Sequence, residues 1–210
     1  MKLEERARRI RTRIIEESYK NQTGHVGSCL SCVEILTALF FNTMKKGDHF
    51  ILSPGHKALA LYATLVEKGV LKEIDTKKLG GHPIKNPEIG IDFSTGSLGH
   101  GLSLGIGMAI ADSKHNVYVL LSDGDLDEGS TWEALQFIGA MKVKNIIAYV
   151  DCNGYSAYRA LPPIISNMPY LIPFETIKGK GLPRFENKLG SHYWRVTKED
   201  YEDYLRRNTA

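Results

Sequence analysis

At 210 residues, with 42% hydrophobic and 24% charged residues, the chain is long enough to bury one sizeable core and gives no sign of a second. A net charge of +3 is an ordinary soluble balance and lacks the strongly basic footprint of a nucleic-acid binder. No apolar run approaches the roughly 20 residues of a membrane span, the charged start does not read as a secretory signal, and three cysteines fit a reducing compartment. The expected location is therefore cytoplasmic.

Residues 3–20 read as an amphipathic helix with Ile10, Ile14 and Ile15 spaced to form a stripe. Its arginines (Arg6, Arg8, Arg9, Arg11, Arg13) alternate with Glu4, Glu5 and Glu16, which predicts a solvated face. The turn Gly24-His25-Val26-Gly27-Ser28 leads into a second helix over 29–42. Cys29 and Cys32 lie in that apolar segment, and without a second pair they do not make a zinc site. His49 to Leu52 is a short buried strand, ended by Ser53-Pro54-Gly55-His56, and 58–68 is helical. A loop-rich stretch with glycines at 80, 81, 90, 96, 99 and 101 precedes a helix over 101–113.

The apolar strand Val117 to Ser122 runs straight into Asp123-Gly124. Twenty-eight residues separate Gly124 from Asn153, enough for one helix and a second strand, Ile146 to Val150. Parallel neighbours joined by a helix bring their carboxyl ends side by side. An Asp carboxylate, an Asn carbonyl and a backbone carbonyl on one small rim are oxygens that suit Mg²⁺, which binds through few protein ligands plus substrate phosphates. After Asn153-Gly154-Tyr155 comes a Pro-dense passage, Leu161-Pro162-Pro163 to Pro173. Residues 174–178 look like a last strand, and Thr197 caps a closing helix with Asp200 at its third position. Strands alternating with helices predict an α/β protein, a parallel sheet flanked by helices, with ligands at the carboxyl ends of the strands. One domain spans residues 1–210.

Five of the seven histidines, His25, His56, His82, His100 and His192, sit at or beside glycine turns. Glycine permits close backbone approach to a ligand there, and imidazoles near neutral pH suit phosphate and hydroxyl binding and proton transfer. His49 and His115 receive no role.

These segments together resemble the transketolase family, specifically its amino-terminal, diphosphate-binding half. They are Thr23 to Gly27, Leu52 to His56, Gly81-His82-Pro83, Ser94 to Gly101, Ser122 to Gly129, Asp151 to Gly154 and Thr176 to Gly181, in family order over nearly the whole chain. The resemblance implies a thiamine diphosphate-binding fold and the cofactors thiamine diphosphate and Mg²⁺. Asp123 and Asn153 would be side-chain metal ligands, with Tyr155 contributing its backbone carbonyl. Gly124, Gly96 and Leu98 would pack on the cofactor and His56 would stand nearest its diphosphate. His25, His82 and His192 would line the donor-sugar channel. Glu128 matches an acidic residue at the family's subunit interface, and equally reads as a first-turn helix carboxylate beside Asp127; both readings hold at once.

The implied activity is transfer of a two-carbon ketol unit from a ketose donor to an aldose acceptor. The family's pyrimidine-binding half is not encoded here, so the expectation is a split enzyme active only with a separate partner protein, in an α₂β₂ assembly. No nucleic acid or membrane is expected as a partner. Two departures stand out: Ser122 replaces the usual glycine, and only Tyr155 to Pro173 connects the asparagine turn to the Thr-Ile-Lys segment, where family members carry a longer stretch. Two alternatives remain: the alpha-type subunit of a 2-oxo acid decarboxylating dehydrogenase, and a non-catalytic cofactor-binding subunit.

Overall fold

The computed structural model describes residues 1–156 and 170–208. In chain order the helices are α1 (Leu3–Asn21), α2 (Val26–Ser31), α3 (Val33–Ala38), α4 (Ala58–Glu67), α5 (Thr76–Leu79), α6 (Gly101–Ala111), α7 (Gly129–Met141) and α8 (Lys198–Asn208). The strands are β1 (His49–Leu52), β2 (Val117–Ser122), β3 (Ile146–Cys152) and β4 (Leu171–Glu175). Two compact units result. One comprises Met1–Thr43, His56–Gly81 and Thr176–Ala210; the other comprises Met44–Gly55 and His82–Glu175.

The second unit carries the sheet, four parallel strands in the order β1-β2-β3-β4. β2 is buried along its whole length, as its unbroken apolar run demands. Leu102, Ile106 and Ala109 of α6 and Ala134, Leu135 and Ile138 of α7 cover the sheet residues Val117, Val119, Leu121, Ala148 and Val150. The expected architecture, a parallel sheet flanked by helices, is borne out. Among the described residues β4 is an edge strand, where the missing N–H of Pro173 is tolerated.

In the helical unit, α1 buries the predicted stripe of Ile10, Ile14 and Ile15 against α3 and α4. Its charged face is less solvated than its sequence implies. Arg11 is buried, donating to Glu34 at 2.7 Å and to the Lys180 carbonyl at 3.0 Å, and Arg6 and Arg9 both pair with Glu67.

Two elements differ from the sequence reading. The helix expected over 29–42 starts at Val26, breaks at Cys32 and ends in a π-turn over Leu39–Thr43. His25, the residue just before that helix, takes the left-handed backbone conformation (φ 62°). The last strand lies at 171–175 rather than 174–178: β4 pairs with β3 from Leu171 to Glu175, and Lys178 turns inward to a fully buried position. The Pro-dense passage falls largely within 157–169, outside the described residues. α8 begins as predicted, with Thr197 and Asp200 exchanging the hydrogen bonds of a capping box.

Candidate active site

The rim of the sheet follows from the β2–β3 register. Ser122 stands opposite Asp151, so Asp123 and Asn153 leave the two strands side by side. Both are buried. The Asp123 carboxylate accepts the backbone N–H groups of Asn153 (2.8 Å) and Gly154 (3.1 Å), and the Asn153 amide oxygen accepts the Tyr155 N–H at 3.1 Å. The side chains on this rim thus offer oxygen, a carboxylate and an amide carbonyl. These are hard ligands of the kind Mg²⁺ takes. Among the described residues no group of three His, Cys, Asp or Glu could hold a metal ion. A divalent ion on this rim therefore needs the asparagine and backbone oxygens, with its remaining ligands from outside the chain.

The loop before α6 closes over the same end of the sheet. Leu98 reaches Gly124, where an added Cβ would meet the Leu98 side chain at 3.0 Å. Gly96 has φ 151° and stands so close to the exposed His82 ring that a Cβ would meet it at 2.7 Å. Thr95 donates its hydroxyl to the Leu52 carbonyl at the end of β1 (2.6 Å). Leu98 and Gly124 thus meet beside Asp123, and the same loop, through Ser94 to Ser97 and His100, lines a cavity of about 460 Å³. Glu128 is exposed and precedes the first turn of α7, where a carboxylate favours the helix dipole.

A residue given no role by sequence reasoning organises this end of the sheet. Asp125, fully buried, accepts from the Ser53 hydroxyl (2.5 Å), the Gly99 N–H (2.9 Å), and the N–H and hydroxyl of Ser122 (2.8 Å each). One carboxylate thus ties the end of β1, the loop before α6 and the end of β2 together. The signal was available in the capping-box spacing of Ser122 and Asp125.

The helical unit gathers three of the predicted histidines. The rings of His25, His56 and His192 lie with centroids 5.3 Å (25 to 56), 4.7 Å (25 to 192) and 5.2 Å (56 to 192) apart. The left-handed backbone of His25 is held by its N–H bond to the His192 carbonyl at 3.0 Å. A non-glycine residue kept in that region marks a position the surroundings over-determine, a condition concentrated at ligand sites. Burial, then His25, Lys178 and Lys57, push the His192 pKa down to about 4, so its imidazole is neutral at physiological pH. Lys57 and Lys178 are themselves buried, and no signal in the sequence beyond their neighbourhood to His56 and Gly179 marked them. His82 stands in the other unit, against Gly96.

The residues left without a role stay structural. His49 and His115 bind Asp92 and Asp112, at 3.0 Å and 2.7 Å, where β1 and β2 begin. Cys29 and Cys32 are fully buried, and burial pushes the Cys29 thiol up to about 12. It remains a protonated core residue.

Residues 3–158 match the family described as transketolase, thiamine diphosphate binding domain. The chain is 32% identical to an apulose-4-phosphate transketolase subunit of Phocaeicola vulgatus, over 97% of this chain and 92% of that protein. It is 34% identical to a 6-deoxy-6-sulfo-D-fructose transketolase subunit of a Clostridium species, over 94% of this chain and 92% of the relative. The alignment with the Phocaeicola protein runs over 262 positions, more than the 210 residues of this chain, so that relative carries residues with no counterpart here. Among solved structures, the transketolase of Leishmania mexicana superposes with a TM-score of 0.84 at 20% identity, covering 99% of this chain. The chain spans only 41% of that enzyme's length. No helix among the described residues is long and apolar enough to cross a membrane. An acid–asparagine rim on a parallel sheet, a glycine-bearing loop beside it and a histidine cluster in the helical unit thus accompany a match over most of the sequence, and the chain belongs to the transketolase thiamine diphosphate-binding domain family.

Proposed function

We propose that this chain is the diphosphate-binding subunit of a split transketolase, which uses thiamine diphosphate and Mg²⁺ to move a two-carbon ketol unit from a ketose to an aldose. The observation that carries this reading is the hydrogen-bonded union of Asp123 with the Asn153-Gly154 turn. It keeps a carboxylate and an amide side chain together on one rim. Asp123, Asn153 and the Tyr155 carbonyl would hold the metal, while Gly124, Gly96 and Leu98 form the floor and wall for the cofactor. When bound, thiamine diphosphate supplies a carbon nucleophile for the ketose carbonyl.

The chain's own contribution is binding and proton handling. His56 serves the diphosphate, and His25, His82 and His192 serve the sugar. The neutral His192 ring can accept a hydrogen bond from a sugar hydroxyl at neutral pH, where a cationic ring could not. Glu128 belongs to the contact with a separate pyrimidine-binding subunit, in an α₂β₂ assembly. The relatives named as transketolase subunits support this division of labour.

The test is calorimetry of the assembled pair with thiamine diphosphate in the presence of Mg²⁺. Asp123→Ala is expected to abolish Mg²⁺-dependent binding; undiminished binding removes the metal assignment. A second reading, a subunit that binds cofactor without turnover, draws on the residues of the Phocaeicola relative that have no counterpart in this chain. Cofactor binding without ketose turnover by the pair would select it.

A further inference from the structure

The helical unit contains a cavity of about 410 Å³ whose lining includes His25, His56, Tyr62, Thr76, Gly80 and Gly81. That volume lies in the range of small-ligand pockets. Its walls are built in two different ways. His56 and Tyr62 belong to α4 and the turn before it, and every α4 residue from Ala58 to Leu65 is buried. Thr76, Gly80 and Gly81 belong to α5 and the turn after it, and α5 buries none of its side chains.

A helix of four residues is too short to persist by its own hydrogen bonds, and without buried side chains its packing cannot hold it. Its ends are fixed instead. Ile74 is buried just ahead of it, and Asp75 caps its start by accepting the Lys77 and Lys78 N–H groups (3.1 and 3.4 Å). At the other end the Leu79 carbonyl, one of the groups that a helix terminus leaves unsatisfied, accepts the Tyr62 hydroxyl at 2.5 Å. Tyr62 is 1% exposed, and burial pushes its hydroxyl up to about 12, so it stays a donor at physiological pH. The two glycines follow at once. Gly80 takes φ 76° and ψ 166°, a conformation essentially confined to glycine, and glycine has the most freedom to lose when a segment is ordered. The Tyr62 hydroxyl thus joins a fully buried helix to the carbonyl just before the most pliant part of the cavity wall.

We propose that Tyr62 is a positioning residue for sugar binding: its hydroxyl holds the end of α5, so that Thr76, Gly80 and Gly81 stand as a preformed wall of the cavity lined by His25 and His56. The proposal rests on the ketol-transfer reading and adds a residue to it. A wall already ordered when the sugar arrives spares binding the entropy of ordering it. That saving is the same for bound sugar and transition state, so it belongs to KM and leaves kcat alone.

Two measurements separate this proposal from the function it builds on. In the first, amide hydrogen exchange is followed by mass spectrometry in the full chain alone, wild type against Tyr62→Phe, which removes one hydroxyl and keeps the ring. Exchange across residues 76–81 is expected to quicken about two- to tenfold, the range that one hydrogen bond supports, with α1 and α4 unchanged. Unchanged exchange across 76–81, or protection lost through α1 and α4 as well, overturns the proposal. In the second, the assembled pair is assayed with D-fructose 6-phosphate as donor. KM is expected to rise about two- to tenfold in Tyr62→Phe with kcat held within about twofold. Asp75→Ala, which releases the other end of α5 without touching the buried tyrosine, is expected to reproduce that split. An unchanged KM in either variant, or a fall in kcat at unchanged KM, overturns the proposal. A wild-type pair that turns over no ketose overturns the ketol-transfer reading instead, and the exchange measurement then decides Tyr62 by itself.

Discussion

Asp125 accepts four hydrogen bonds, because a buried carboxylate must satisfy its oxygens or lose the solvation it gave up. Replacing it strands the Ser53 hydroxyl and the Gly99 and Ser122 N–H groups together. Asp125→Ala is expected to cost about 3 kcal/mol or more, seen as a lowered urea midpoint with the slope unchanged. His192 carries a different signature. Its pKa falls from the usual 6.5 to about 4 in the folded chain, chiefly through burial. As pH drops below 6.5 the unfolded chain takes up this proton first, so stability present above 6.5 is lost progressively toward pH 4. Urea midpoints measured between pH 7 and 4.5 should therefore decline less steeply in His192→Gln; an unaltered slope would mean that the ring is not desolvated. Both effects stem from what surrounds a side chain, which is why the spacing of Asp125 could be noticed in the sequence while its weight could not.

Among the elements, α6 shows a conflict between propensity and packing. Glycine weakens a helix by about 1 kcal/mol relative to alanine, so Gly105 should be improvable by local rules. It sits on the sheet, however, where an added Cβ would meet Val119 at 2.6 Å and Ile146 at 3.2 Å. Overpacking of a close contact costs about 1–3 kcal/mol, which outweighs the gain. Gly105→Ala is expected to lower the melting temperature, whereas Gly107→Ala, on the open side of the same helix with nothing near its Cβ, should raise it. The apolar runs of β1, β2 and β3 were legible because buried strands leave unbroken hydrophobic stretches. The β4 boundary was not, since a short alternating run fits more than one register until a neighbour selects it.

At the scale of the molecule, the chain aligns with nearly the full length of proteins named as transketolase subunits but with 41% of a whole transketolase. The expected outcome is no ketol transfer by the purified chain, activity on mixing with a pyrimidine-binding partner, and a single co-sedimenting complex in analytical ultracentrifugation. Ketose turnover by this chain alone would refute the split arrangement. The order of glycine turns, histidines and the acid and asparagine turns announced the family from sequence, because close backbone approach to a ligand restricts which residues can occupy those points. The alternation of strand and helix announced a parallel sheet, because hydrophobic period and connection length leave few other solutions. What awaited the fold was decided by contacts between residues distant in the chain. The β2–β3 register sets Asp123 against the Asn153 turn, and packing draws His25, His56 and His192 into one cluster. Packing also puts Arg195, an ordinary arginine in the sequence, among the residues that line a cavity. Neither burial nor proximity is a property of a residue type, so no pattern along the chain could have carried them.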